Sequence, residues 1–209
     1  MTELSHARSD RRRVPGPALR LAEAREGAPE RAELEAFVQN AFARKHEASV
    51  TSFMPTLLSF RDAGGALRGV IGLRSAVPKP LYLEQYLEQP VEAAIATATG
   101  QAVQRHQVVE VGNLAGVNCR AAMRMVAALP SYLLARDYRW IVFTATSAVR
   151  GILQGFDAPL VELARADGSR VTNSPDRWGR YYENDPRVLA GFLPDSRWIP
   201  GFNPGLHTH

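Results

Sequence analysis

The sequence predicts a mixed α/β layer fold, a sheet covered by helices that cross over it. Three observations predict it. Strand-like and helix-like apolar patterns alternate along the chain in the order β-α-β-β-α-β-α-β-α-β. Two apolar runs, around Val108 to Val111 and from Trp140 to Ala145, have the length and β-branched content of buried strands. The stretch between them has helical period, which makes a crossover unit.

The elements follow in order. Residues 1–17 are polar, arginine-rich and punctuated by Pro15, Gly16 and Pro17, and read as a disordered basic tail. A first strand is expected from Ala18 to Ala24. Pro29 opens a helix with Glu30 and Glu33 in its first turn, where acids favour the dipole. Leu34, Phe37, Val38 and Ala41 carry its apolar face to about His46. Strands at Phe53 to Arg61 and Leu67 to Leu73 are joined by Asp62-Ala63-Gly64-Gly65, a hairpin signal with glycines for positive φ. Pro78-Lys79-Pro80 breaks the chain, and Leu81 to Leu87 fits strand or helix equally. Pro90 opens a helix through Val91, Ala94, Ile95 and Ala98. A strand over 107–114 leads to a helix carrying Ala122, Met125, Val126, Leu129 and Leu133, which Pro130 is expected to kink or shorten. Beyond the strand at 140–145, Ser147 is placed to cap a helix from Ala148 to Gln154, with Gly155 as its stop. Pro159 to Ala166 is the last strand expected. The domain therefore spans 18–170. Residues 171–209 hold Trp178, Tyr181, Tyr182, Phe192, Trp198 and Phe202 among prolines and glycines. They read as a segment packed on the domain or covering its cleft.

Composition removes several function classes. The net charge is +4 and the pI about 9.6, yet only Lys45 and Lys79 are lysines, and the one basic run, Arg11-Arg12-Arg13, lies in the tail. A nucleic-acid surface would need a basic stripe with interleaved aromatics, so no nucleic-acid partner is expected. Cys119 is the sole cysteine, which excludes an intrachain disulfide. The five histidines are scattered without metal-ligand spacing, so no metal is expected. No signal-peptide core and no run of eighteen apolar residues is present, and a cytoplasmic location is the default.

The chemistry concentrates between Val108 and Arg124. Glu110 interrupts an apolar strand, where a charge is costly without a partner or a task. It reads as a general base or as a carboxylate that orients an attacking amine, against a purely structural ion pair to Arg74 or another arginine. Asn113 lies three residues on and would face away from Glu110 in a regular strand. A β-bulge would turn both into one cleft, and bulges are frequent beside active sites. The loop Leu114, Ala115, Gly116 to Asn118 offers backbone N–H groups for a phosphate, with Asn118 capping the next helix and Arg120 and Arg124 one turn apart near the anion. Thr144 and Thr146, before the helix that carries Arg150, are further ligand candidates at a strand end. Trp178-Gly179-Arg180-Tyr181-Tyr182 reads as a stacking or lid element.

Taken in series, Phe53-Met54-Pro55-Thr56-Leu57-Leu58, Gly72-Leu73-Arg74, Leu83-Glu84-Gln85-Tyr86-Leu87, Glu110-Val111-Gly112-Asn113-Leu114, Phe143-Thr144-Ala145-Thr146 and Trp178-Gly179-Arg180-Tyr181-Tyr182 resemble the thermostable hemolysin family. That family is similar in layout to the GNAT acyltransferase superfamily and, within it, to acyl-homoserine-lactone synthases. The resemblance implies a GNAT-like mixed sheet, mostly antiparallel, with helices on both faces. Gly72-Leu73-Arg74 matches a strand ending in arginine, and Arg150-Gly151-Ile152-Leu153 the final helix. Glu110-Val111-Gly112-Asn113 stands where the synthases carry E-x-S-R. Glycine and asparagine in place of serine and arginine argue against a homoserine-lactone product and leave acyl transfer standing. The glycine-rich pyrophosphate signature is incomplete, so the donor is open between coenzyme A and an acyl carrier protein, whose acidic surface would suit an arginine-rich chain.

The resemblance thus implies acyl transfer from an acyl carrier protein or coenzyme A thioester, a co-substrate rather than a tightly bound cofactor, to a small amine. Glu110, Asn113 and Arg74 are the catalytic candidates. Leu114, Ala115, Gly116, Asn118, Arg120, Arg124, Thr144 and Arg150 would hold the donor, and Glu84, Tyr86, Trp178, Tyr181 and Tyr182 would line the substrate cleft. Two other classes compete. One is a membrane-active hemolysin that contacts a bilayer without spanning it, for which the helix at 30–46 is the candidate. The other is a non-catalytic module that binds an acyl carrier or ligand.

Overall fold

A computed structural model describes residues 19–154, 159–171 and 178–195. Among these, seven strands form one sheet: β1 (Arg20–Arg25), β2 (Thr56–Arg61), β3 (Leu67–Ser75), β4 (Val108–Gly116), β5 (Trp140–Ala145), β6 (Leu160–Arg165) and β7 (Arg187–Phe192). Their order across the sheet is β1-β2-β3-β4-β5-β7-β6. Only the β4–β5 pair is parallel. The helices are α1 (Arg31–His46), α2 (Val91–Thr99), α3 (Cys119–Leu134) and α4 (Ser147–Leu153).

Period-two alternation decides what covers each face. Leu57, Val70 and Ala115 meet Leu34 and Val38 of α1. Val108, Val142, Val188 and Ala190 meet Val91, Ala94 and Ile95 of α2. Their strand neighbours Leu58, Ile71, Val109, Ile141 and Leu189 point the other way, onto Met125, Val126, Leu129 and Leu133 of α3 and Leu153 of α4. Helices therefore flank both faces, as expected. The apolar face of α1 is spent on the sheet: Leu34 and Val38 are fully buried. No described helix is long and apolar enough to cross a membrane.

The β2–β3 hairpin forms where its turn residues place it. Asp62 Oδ1 accepts from the Gly64 and Ala66 N–H groups at 3.0 Å each, and Gly65 sits at φ +83°. Elsewhere the structure corrects the expectation. The stretch from Phe53 becomes strand only at Thr56, and Leu81–Leu87 is neither strand nor α-helix but a 3-10 turn over Tyr82–Tyr86. Pro130 does not end α3, which runs on to Leu134. The cap expected at Ser147 falls at Thr146, whose side chain makes no capping bond. The largest difference lies in the segment after 170. Rather than only covering the domain, it supplies β7, which fills the place between β5 and β6. Its apolar run Val188 to Phe192 is short and bracketed by Pro186 and Pro194. The tail at 1–17, the stop at Gly155, Trp198 and Phe202 lie outside the described residues.

One irregularity shapes the sheet. Gly72 pairs with Gly112 and Val70 with Ala115, so two residues of β4, Asn113 and Leu114, stand opposite Ile71 alone. This is a β-bulge, and Asn113 takes the left-handed conformation it needs, φ +48°. Asparagine tolerates that region better than most side chains. On its other edge β4 pairs with β5 only from Val108↔Trp140 to Val111↔Phe143. From the bulge onward the two parallel strands part.

Candidate active site

The parting of β4 and β5 opens a cavity of about 650 Å³, within the usual range for a small-molecule site. It has two sorts of wall. Towards α1 it is lined by Glu110, Asn113, Arg74, His46 and a set of aromatic rings. Between α3 and α4 it is lined by Ala122, Val126, Leu129, Val149, Ile152 and Leu153. Arg44 and Lys45, both exposed, also border it.

Glu110 is 3% exposed. Its Oε2 accepts from the Tyr82 N–H at 2.8 Å and its Oε1 from the Leu83 N–H at 3.0 Å. The 3-10 turn at 82–86 thus presents two consecutive amides to one carboxylate, which explains why the chain neither extends nor coils fully there. Arg74 is its direct cross-strand neighbour and forms no ion pair with it. Burial raises the Glu110 carboxyl to about 7, opposed by the two amides and by the charge of Arg74. A carboxyl in that range changes charge around neutrality.

The bulge brings Asn113 to the side of the sheet that Glu110 faces. Asn113 Oδ1 accepts from the Met54 N–H at 2.9 Å and lies 2.8 Å from where a Cβ on Gly72 would stand. Gly72 and Gly112 are glycines for a steric reason: a Cβ on either would come within 2.7 Å of the Met54 side chain. With its oxygen committed to Met54, the Asn113 amide keeps its NH₂ as a fixed donor at the cavity wall.

Aromatic rings complete the α1 side. Trp178 lies 6.0 Å from Tyr82 and 5.3 Å from Tyr181, ring to ring, and His46 lies 5.4 Å from Tyr181 and 5.7 Å from Phe42. Burial pushes the Tyr82 hydroxyl up to about 12 and the Tyr86 hydroxyl further still, so both stay protonated donors. The 178–182 segment is clamped to the end of α1. The Arg180 N–H donates to the His46 carbonyl at 2.8 Å, and Arg180 pairs with Glu47 at 2.7 Å. Gly179, at φ +48°, fits because a Cβ there would stand 2.3 Å from that same carbonyl oxygen.

A family model described as thermostable hemolysin matches residues 24–197. The chain belongs to the thermostable hemolysin family. No curated protein sequence matches it. Solved structures share its fold at low identity. The acyl-homoserine-lactone synthase LasI is 13% identical over 85% of this chain and 91% of its own, with a TM-score of 0.56. FeeM, an N-acyl amino acid synthase from uncultured soil microbes, is 16% identical over 87% and 94%, at 0.55. BjaI, a CoA-dependent acyl-homoserine lactone synthase solved with SAM and isopentyl-CoA, is 13% identical over 88% and 86%, at 0.58. The fold of this hemolysin-family chain is thus GNAT-like.

In this family member most of the residues singled out from sequence meet at one cavity. Arg74, Glu110, Asn113, Leu114, Ala115, Gly116, Asn118, Thr144, Tyr86, Trp178 and Tyr181 all line it. Others are held elsewhere. Glu84 binds Arg105 through both oxygens and caps α2 at the Val91 N–H. Arg150 is bonded to the Ala145 carbonyl and to Asp185. Tyr182 meets the Tyr86 hydroxyl at 2.8 Å without lining the cavity, and Arg120 is exposed off the wall. Arg124 is half-buried and likewise absent from the lining. Leu114 to Gly116 belong to β4 and not to a loop, and the Val117 N–H is taken by the Arg68 carbonyl. Asn118 does cap α3, accepting from the Ala121 N–H at 2.8 Å. Sequence reading missed Phe42, His46 and Tyr82. The signal for the first two was present: Leu34, Val38, Phe42 and His46 recur every four residues on one helix face.

Proposed function

We propose that this chain is an N-acyltransferase that moves an acyl group from a pantetheine thioester to a small amine. The observation that carries this is the cavity formed where β4 bulges away from β5. It joins a polar wall bearing Glu110 and Asn113 to an apolar sleeve between α3 and α4. A thioester is an apolar chain, a reactive carbonyl and a polar carrier in a line, and the cavity offers matching surfaces in that order.

The acyl chain enters the sleeve of Ala122, Val126, Leu129, Ile152 and Leu153. The thioester carbonyl then lies at the bulge, where the Asn113 NH₂ donates to the oxygen as negative charge develops. A fixed donor of this kind is worth about 10²–10³ in rate. The pantetheine arm runs along β4 from Leu114 to Gly116, with Asn118 and Thr144 beside it. Arg44 and Lys45 at the border favour a phosphate-bearing carrier. The amine enters past Trp178, Tyr181 and Tyr86 and meets Glu110, whose carboxylate is held by two amides and orients the ammonium before attack. Arg74 adds a positive charge beside it. Both coenzyme A and an acyl carrier protein present this arm. The likeness to BjaI, a CoA-dependent acyl-homoserine lactone synthase, and to the N-acyl amino acid synthase FeeM supports the reaction class.

The test is thiol release by the purified chain from octanoyl-CoA and from octanoyl-loaded acyl carrier protein, each with a panel of amines and amino acids. Transfer to at least one amine is expected, reduced roughly 10²-fold or more by Glu110→Gln. Thioester hydrolysis without any amide product would overturn the reading.

A further inference from the structure

Among the groups of the polar wall that the acyl-transfer scheme leaves idle, one carries a basic nitrogen. His46 is 6% exposed, lines the cavity, and its Nδ1 has no hydrogen-bond partner. A buried imidazole nitrogen left unpaired costs stability, so the ring is not there to knit the fold. It is also held with care. Phe42 meets it tilted and Tyr181 edge-on, and its own carbonyl is tied by the Arg180 N–H with Gly179 pressed against it. The contrast with Glu110 is direct, since each Glu110 oxygen already accepts a backbone N–H.

We propose that His46 is the proton acceptor of the site. This rests on the acyl-transfer reading and adds a residue to it. An amine arrives as an ammonium ion oriented by Glu110, and its proton passes to the His46 imidazole. The freed nitrogen lone pair forms the C–N bond at the thioester carbonyl. The C–S bond breaks, and the departing sulfur takes one of the two remaining nitrogen protons to leave as a thiol, the other staying on the amide. One proton per turnover is released from His46 to solvent. Burial and the charge of Lys45 hold the imidazole below its ordinary range, so it is neutral and ready to accept at pH 7. The charged and titratable groups around it are Arg44, Lys45 and Glu47 at its own helix end, Arg180 and Tyr181 on the clamped segment, and Arg74, Tyr82, Tyr86, Glu110 and Cys119 along the cavity.

The experiment compares the full chain with His46→Ala and His46→Gln, using octanoyl-CoA and the best amine from the panel. Both variants should lose roughly 10²–10⁴-fold in kcat with little change in KM for the thioester. The acid limb of the pH profile should lose its His46 component in both variants and keep only the one set by Glu110. Added imidazole should restore turnover to His46→Ala, which a role in packing alone would not allow. Activity within threefold of wild type in both variants overturns the assignment, as does lost activity in folded protein that imidazole leaves unrescued. Nitrogen NMR of the imidazole decides the matter independently of turnover. Octanoyl-CoA with amine should move the His46 Nδ1 signal in the wild type, and an unmoved signal overturns the assignment even where no product forms. An absence of amide product beside a shifted signal would instead sink the acyl-transfer reading.

Discussion

The two ends of the cavity are built by opposite rules. The sleeve between α3 and α4 is made of Ala122, Val126, Leu129, Ile152 and Leu153, residues that any apolar chain of similar volume could contact. The wall facing α1 is made of groups fixed one by one: Glu110 by two amides, Asn113 by the Met54 N–H, His46 by its ring neighbours and its tied carbonyl. The sleeve is specified by volume, the wall by geometry. A substitution should therefore grade chain-length preference at one end and switch activity off at the other.

Asn113→Asp gives the sharpest break. It keeps a short side chain at a positive φ but replaces the NH₂ donor by an acceptor, and should lower kcat by about 10²–10³ with unchanged folding. Steady-state kinetics with a circular-dichroism control checks it; a loss below fivefold would remove Asn113 from the polar wall. Gly179→Val acts one layer out. It forces a Cβ against the His46 carbonyl at a positive φ, and should cost about 1–3 kcal/mol of stability. Calorimetry should show the fall in Tm, and an unchanged Tm would mean that the clamp is not formed. At the apolar end, Ala122→Phe should fill the sleeve and shift preference to shorter acyl chains. The change should be about threefold to fourfold per methylene excluded, read from kcat/KM across a series of acyl-CoAs. Equal losses for all chain lengths would place the acyl group elsewhere.

The last effect is read in stability alone. Glu110 titrates near 7 in the folded chain against an ordinary 4.5. Its contribution to stability is therefore fully present below about pH 4.5 and is lost as pH rises through 7. Denaturant unfolding of wild type and Glu110→Gln should diverge across that window and run parallel above pH 8. Parallel curves throughout would show that the carboxyl is not desolvated.

The strands and helices that carry strong periodicity were legible in the sequence, and so was the acid in the middle of β4. The bulge was legible only as a condition: Glu110 and Asn113 could share a cleft if the strand slipped by one residue, and nothing local in Gly112-Asn113-Leu114 states that it does. What forces the slip is distant, with Met54 seated over Gly72 and Gly112 and its amide claimed by Asn113. Glu84 and Arg150 misled for the converse reason. A charged residue near a motif reads as functional until its partner is seen, and Arg105 and Asp185 lie 21 and 35 residues away from them. β7 was hidden because five apolar residues between two prolines, in a segment crowded with aromatics, look like a surface strap.

The position of β7 also sets an order of events during synthesis. β6 can join the sheet only through a strand that leaves the ribosome after it, and Trp178 and Tyr181 of the aromatic wall are translated between the two. A nascent chain that has made residues 1–170 holds Glu110 and Asn113 but exposes the edge of β5, an apolar strand open to pairing with another chain. The site and the protection of that edge arrive together, once residues 178–192 are made, so a product stopped before them should aggregate rather than persist as a partial enzyme.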